Sequence, residues 1–130
     1  MLDLLSKGIV HRGEVYTAGG LSAVVTDPAH RGCGFGRHLV KVAREEIGRR
    51  GADIGMFTCD PSLRRFYEKA GWRLLTGTVL IGGTPDNPLP SDREHKITMG
   101  HFYSRRARNN AQAFIGARIA LYPGEIDKLW

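Results

Sequence analysis

The strongest chemical signal in the sequence is the run Arg31-Gly32-Cys33-Gly34-Phe35-Gly36-Arg37, in which three glycines fall within five residues. Glycine lets consecutive backbone N–H groups turn toward a ligand with no Cβ in the way. A helical pattern starts immediately behind, and a helix start adds unpaired donors and a partial positive charge. Together these features describe a cradle for a pyrophosphate. The same residues equally describe a tight strand-to-helix turn that uses glycine for geometry alone, and the loop by itself does not separate the two. The two cysteines, Cys33 and Cys59, lack metal-ligand spacing, so neither a metal site nor a disulfide framework is expected.

The elements that must hold this loop follow from periodicity. Leu21 to Thr26 is a near-continuous apolar run that reads as a strand buried on both faces, and Thr26-Asp27-Pro28 ends it. From Gly36 to Arg50 the period is helical: Leu39, Ala43 and Ile47 share a stripe that Val40 widens, and Gly51 stands as the C-cap. Asp53 to Cys59 reads as the next strand. Asp60-Pro61-Ser62 then starts a short helix, with Asp as N-cap and Pro in the first turn, reaching Ala70 with Leu63, Phe66 and Ala70 facing inward. Gly71 ends it, and Trp72 to Ile81 returns as a strand.

Ahead of the loop, Met1 to Lys7 is a short apolar start. Gly8–Arg12 and Glu14–Thr17 read as two short strands about Gly13, with Ala18-Gly19-Gly20 as a second turn. Behind it, residues 82–92 form a Pro/Gly/Asp-rich surface loop, residues 95–103 a further strand, and Arg105–Ala120 a basic helix. The order strand, helix, strand, helix, strand predicts a mixed α/β (α+β) fold with a crossover.

At 130 residues and 14.4 kDa the chain has room for one domain, and 42% hydrophobic with 25% charged residues is ordinary globular composition. No apolar run approaches a membrane span, and Met1-Leu2-Asp3-Leu4-Leu5 lacks the basic start and cleavage site of a signal peptide. A reducing cytoplasm is the expected location. The net charge of +6 is uneven: residues 31–73 carry ten Lys/Arg against five acids, whereas residues 74–92 carry two acids and no base. A basic middle suits a polyanionic ligand, either nucleotide-like or nucleic acid, or is simply a solvated face.

The segment Leu21–Trp72 resembles the acyl-coenzyme A core of the GNAT superfamily of N-acetyltransferases. Their cofactor loop reads Gln/Arg-x-x-Gly-x-Gly/Ala, and Arg31, Gly34 and Gly36 fill those positions after a strand ending in Asp27-Pro28. A second family feature, a short helix carrying Tyr and closing on Gly-aromatic, is matched by Phe66-Tyr67-Glu68-Lys69-Ala70-Gly71-Trp72 at the family's separation. The resemblance implies a mostly antiparallel mixed sheet with splayed central strands and flanking helices. It implies acetyl-CoA as donor, its pyrophosphate held by Gly32 and the N–H groups of Cys33, Gly34, Phe35, Gly36 and Arg37, with Arg31, Arg37 and Lys41 supplying a favourable field. The pantetheine arm would add like a strand to Val24, Val25 and Thr26. Tyr67 takes the position of the acid that meets the leaving thiolate, although the residue could equally be a structural tyrosine on an inner helix face. Where many relatives carry a basic Glu this chain has Ser22, which leaves His11 or Glu14 acting through water, or an amine that arrives neutral.

The C-terminal half is similar, more narrowly, to the aminoglycoside 2′-N-acetyltransferases, which would make Asp127 and the Trp130 carboxylate contacts for a polycationic amino sugar. The acid stands three residues before the tryptophan rather than two. The family also places a strand and usually two helices ahead of this point, so the resemblance implies a truncated chain or a wall supplied by another chain, a homodimer included. The expected acceptor is a small-molecule amine. A non-catalytic CoA-binding module is the alternative. A nucleic-acid partner is disfavoured because Arg105-Arg106-Ala107-Arg108 lacks interleaved aromatics beyond Phe102 and Tyr103, and a dinucleotide site because the loop is not Gly-x-Gly-x-x-Gly.

Overall fold

The computed structural model describes residues 3–22, 35–83 and 86–121. It opens with a hairpin of β1 (Asp3–His11) and β2 (Glu14–Ser22), paired in register from Asp3↔Ser22 to His11↔Glu14. Arg12 and Gly13 turn it with φ of 50° and 79°, both left-handed, the combination whose twist matches the flanking strands. Two expectations are corrected here. From Asp3 onward the apolar start belongs to β1, and Ala18-Gly19-Gly20 is no turn but the middle of β2. A Cβ on Gly19 would lie inside the van der Waals envelope of the Ile47 side chain, so that glycine serves close approach of a helix.

That helix is α1 (Phe35–Arg49), which buries Val40, Ala43 and Ile47 and leaves Leu39 half-buried, so Val40 rather than Leu39 centres the stripe. Next comes β3 (Ile54–Cys59). A 3-10 turn at Pro61–Leu63 leads into α2 (Arg64–Lys69), and β4 (Arg73–Leu74) follows. The expected strand Trp72–Ile81 is in fact two. The chain bends between Leu74 and Val79, where buried Thr78 donates its hydroxyl to Phe114 O at 2.6 Å and its carbonyl accepts from the Thr98 hydroxyl at 2.7 Å. The following strand, β5 (Val79–Gly83), belongs to another sheet.

Within the expected surface loop lie β6 (Pro88–Pro90) and a 3-10 turn at Ser91–Glu94; β7 (Ile97–Phe102) then matches expectation. The expected helix Arg105–Ala120 is broken into α3 (Arg105–Asn109), α4 (Ala111–Phe114) and β8 (Arg118–Ala120). Ser104 caps α3 by accepting from Ala107 N at 3.1 Å. The break at Asn110 lets the chain turn back so that β8 can pair in parallel with β5.

The described residues form a five-stranded sheet in the order β1-β2-β3-β7-β4 and a three-stranded sheet in the order β6-β5-β8. In the larger sheet only β2 and β3 are parallel, joined by the crossover through α1. The expected mixed fold, mostly antiparallel with flanking helices, is the one observed. Side chains alternate across β3, so Ile54 and Met56 enter a core with Ile9, Tyr16, Phe102, Phe114, Leu80 and Ile119, beneath the small sheet. Phe57 and Cys59 face the other way, into a core with Val40, Ile47, Tyr67, Trp72 and Met99 beneath α1 and α2.

Candidate functional site

The parallel strands β2 and β3 share only the rungs Ala18↔Ile54 and Gly19↔Gly55. Beyond them, Gly20 to Ser22 pair with β1, and Met56 to Cys59 pair with β7. Both residues of the last rung are glycines for steric reasons. Gly19 lies under Ile47, and a Cβ on Gly55 would come within 3.1 Å of the Trp72 ring and 3.3 Å of the Tyr103 ring.

Tyr67 packs against β3. Its ring meets Phe57 edge-on at 4.6 Å and Phe66 at 5.1 Å, and the residue is 3% exposed. With Ala70 it takes the inner face of α2, whereas Leu63, expected inward, is exposed. Its carbonyl accepts from Ala70 N and Trp72 N, each at 3.0 Å, while Gly71 N bonds Glu68 O at φ 94°; this Schellman closure fixes the end of the helix. Burial, reinforced by the neighbouring Cys59, pushes the phenol pKa up to about 12. The hydroxyl is therefore protonated throughout the neutral range, as an acid or hydrogen-bond donor must be. Burial and Asp60 likewise push the Cys59 thiol up to about 11, against the pull of Lys96, so it is no nucleophile at neutral pH. Lys96 Nζ itself pairs with Asp60 at 2.7 Å.

Three contacts that the periodicity does not reveal fasten α1 to the Tyr67 region. Trp72 Nε1 donates to Val40 O at 3.2 Å, Arg44 Nε donates to Ala70 O at 3.1 Å, and the Tyr103 hydroxyl donates to Arg44 O. Arg44 reads from sequence as a polar residue off the apolar stripe; only Gly71-Trp72 carried any signal.

The two alternative bases are placed at the wrong end. Glu14 and His11 flank the hairpin turn, eight residues of strand from Ser22, which at about 3.3 Å per residue is on the order of 26 Å. His11 Nε2 is 2.7 Å from Ala113 O with its ring on Phe114 at 4.7 Å, and Glu14 pairs with Arg106 at 3.8 Å. The basic run of α3 is also engaged. The Arg106 guanidinium lies over the Tyr16 ring at 4.6 Å and reaches Asp53 at 3.3 Å, and Arg108 Nε bonds Phe102 O at 3.4 Å.

Phe35, Gly36 and Arg37 form the first turn of α1, where backbone N–H groups have no partner within the helix. Val24, Val25, Thr26, Arg31, Gly32, Cys33, Gly34, Asp127 and Trp130 lie outside the described residues. Among the described residues, no group of three or more His, Cys, Asp or Glu could hold a metal ion, and no helix is long and apolar enough to cross a membrane.

Residues 6–74, more than half of the chain, match the family model described as acetyltransferase (GNAT) domain. The chain belongs to the GNAT acetyltransferase family. The matched segment runs from β1 to β4 of this GNAT domain and stops before β5, so the small sheet lies beyond it. Among solved structures, a GCN5-related N-acetyltransferase from Anabaena variabilis is similar at 28% identity and a TM-score of 0.51, over 58% of this chain. The chain spans 19% of that protein's length. No curated protein matches it.

Proposed function

We propose that this GNAT domain transfers an acetyl group from acetyl-CoA to a primary amine of a small molecule. The observation that carries the reading is the match of residues 6–74 to the acetyltransferase (GNAT) domain, with a buried, protonated tyrosine packed on Phe57 of β3. The first turn of α1, with the glycine loop before it, suits the pyrophosphate of the donor. Acetyl-CoA supplies the acetyl group as a thioester, which attack by a neutral amine converts to an amide and a thiol.

Tyr67 assists by donating a hydrogen bond to the departing sulfur. A charge-assisted hydrogen bond of this kind contributes about 1.5–3 kcal/mol. His11 and Glu14 take no part, which favours an amine that enters already neutral. The resemblance of the C-terminal residues supports an amino sugar as acceptor, with Asp127 and Trp130 as its contacts.

The test is a radiolabelled acetyl-transfer assay across a panel of amines and aminoglycosides, with thermal shift by coenzyme A alongside. Acetylated product that falls about 10- to 100-fold in rate with Tyr67→Phe supports the reading. A thermal shift without product would leave a CoA-binding module in its place, and the absence of both would refute donor binding itself.

A further inference from the structure

We infer that Trp72 and Arg44 are positioning residues that hold Tyr67 in register with the helix that starts at the glycine loop. The inference rests on the catalytic reading of Tyr67 given above. Trp72 joins the two elements directly. Its backbone N–H bonds the carbonyl of Tyr67 at 3.0 Å, and its indole N–H bonds the carbonyl of Val40, in the middle of α1, at 3.2 Å. The indole is 2% exposed and stands at 90° to Phe57 at 4.7 Å, and Phe57 is the ring on which Tyr67 itself packs. One residue thus touches α1 and β3 through its side chain and the end of α2 through its backbone.

Arg44 closes the clasp one helical turn along. Its Nε bonds the carbonyl of Ala70 at 3.1 Å, the residue that ends α2, and its guanidinium fills the space beside Gly71, where a Cβ would come within 2.6 Å of Nε. The Arg44 carbonyl accepts from the Tyr103 hydroxyl, so the same turn of α1 is also tied to the residue that follows β7. A buried indole N–H needs an acceptor, and here that acceptor is a carbonyl of the neighbouring helix rather than of its own segment. Two donors aimed at backbone carbonyls on opposite helices fix a translation as well as a separation. Small shifts of a donor relative to the reacting atoms cost rate steeply, so a device of this kind acts on turnover rather than on donor affinity.

The test is a double-mutant cycle on the whole chain. Trp72→Phe keeps a ring on Phe57 and removes the N–H; Arg44→Met removes the second donor at similar length, with Arg44→Lys as its conservative rescue. Each disruptive variant is expected to lower kcat about tenfold with KM for acetyl-CoA within about twofold, and Arg44→Lys to recover part of the loss. In a Tyr67→Phe background the same changes should lower kcat no further, because the group they position is gone. Equal falls in both backgrounds, or no fall in either, would overturn the inference while leaving Tyr67 in its role. Should Trp72→Phe fail to fold, the Arg44 pair decides the question alone. If Tyr67→Phe turns over like the parent, or the parent shows no turnover, the catalytic reading fails first and this inference with it.

Discussion

Replacing Gly19 with alanine sets two effects of opposite sign against each other. In the interior of a strand glycine is less stable than alanine by about 0.5–1 kcal/mol, because its backbone loses more freedom on folding. Were Gly19 a strand glycine with open space around it, Gly19→Ala would raise stability by that amount. In the fold the new methyl group meets the γ2 methyl of Ile47, a branch attached directly to Cβ that cannot swing aside as the end of a long side chain could. Overpacking of this sort costs about 1–3 kcal/mol, which outweighs the backbone gain. The expected net change is a loss of about 1–2 kcal/mol. Ile47→Ala alone should cost about 2–5 kcal/mol through its cavity, as Ile47 is 2% exposed. The double variant should be more stable than the sum of the two by at least about 1 kcal/mol, since the alanine at 19 then grows into the space vacated at 47. Urea unfolding, with the midpoint and slope compared for all four proteins, reads the coupling. Additivity within about 0.5 kcal/mol, or stabilisation by Gly19→Ala alone, would refute close approach as the reason for the glycine.

Further outcomes follow from the buried titratable groups. Cys59, pushed up to about 11, should react with iodoacetamide at pH 8 about two orders of magnitude more slowly than an ordinary exposed thiol, read at its own peptide by mass spectrometry. Burial, with the Arg44 and Arg108 charges, holds His101 below the ordinary imidazole value of about 6.5. Folding therefore favours its neutral form, and its contribution is lost as pH falls from about 6.5 through the folded value. His101→Gln should flatten the decline in urea midpoint between pH 7.5 and 5. Burial opposes ionisation of Asp53, but the Thr17 N–H at 2.8 Å, Ser104 and Arg106 together outweigh it and hold the carboxyl low. Asp53→Ala should cost about 1–3 kcal/mol at pH 7, with the difference from the parent narrowing as pH falls below about 4. Finally, a phenol at about 12 places no limb in the rate profile of the parent between pH 6 and 10, so Tyr67→Phe should lower that profile without changing its shape.

What the sequence discloses is what local period and local stops determine. The α1 helix, the β3 strand and the closure at Gly71 are contained in short windows and are found there, while the α1 stripe centres on Val40 instead of Leu39 and the Asp-Pro start opens a 3-10 turn in which Asp60 makes no side-chain cap. Ala18-Gly19-Gly20 misleads because paired glycines mark turns far more often than they mark a strand crossed closely by a helix. The reason for Gly19, Ile47, is 28 residues away. Trp72–Ile81 reads as one strand because nothing within it shows that Thr78 will bond to Phe114 and Thr98. In the same way, Arg105–Ala120 has helical composition, while its return as β8 depends on a partner strand at Val79–Ile81. At the site, Tyr67 is legible through its motif. Arg44 is not, because a polar residue between apolar positions on a helix looks solvated until a carbonyl from another helix is seen beside it.

Trp72 has a use apart from chemistry. It is one of two tryptophans, and Trp130→Phe would leave it as the only indole in the chain. An indole buried beside Val40, Gly55 and Phe57, with its N–H held by a carbonyl, emits at shorter wavelength than one in water. Any loosening of α1 from α2 frees that N–H and admits solvent. The molecule thus carries its own optical gauge at the junction between its glycine-loop helix and its tyrosine helix, readable in dilute solution without a label.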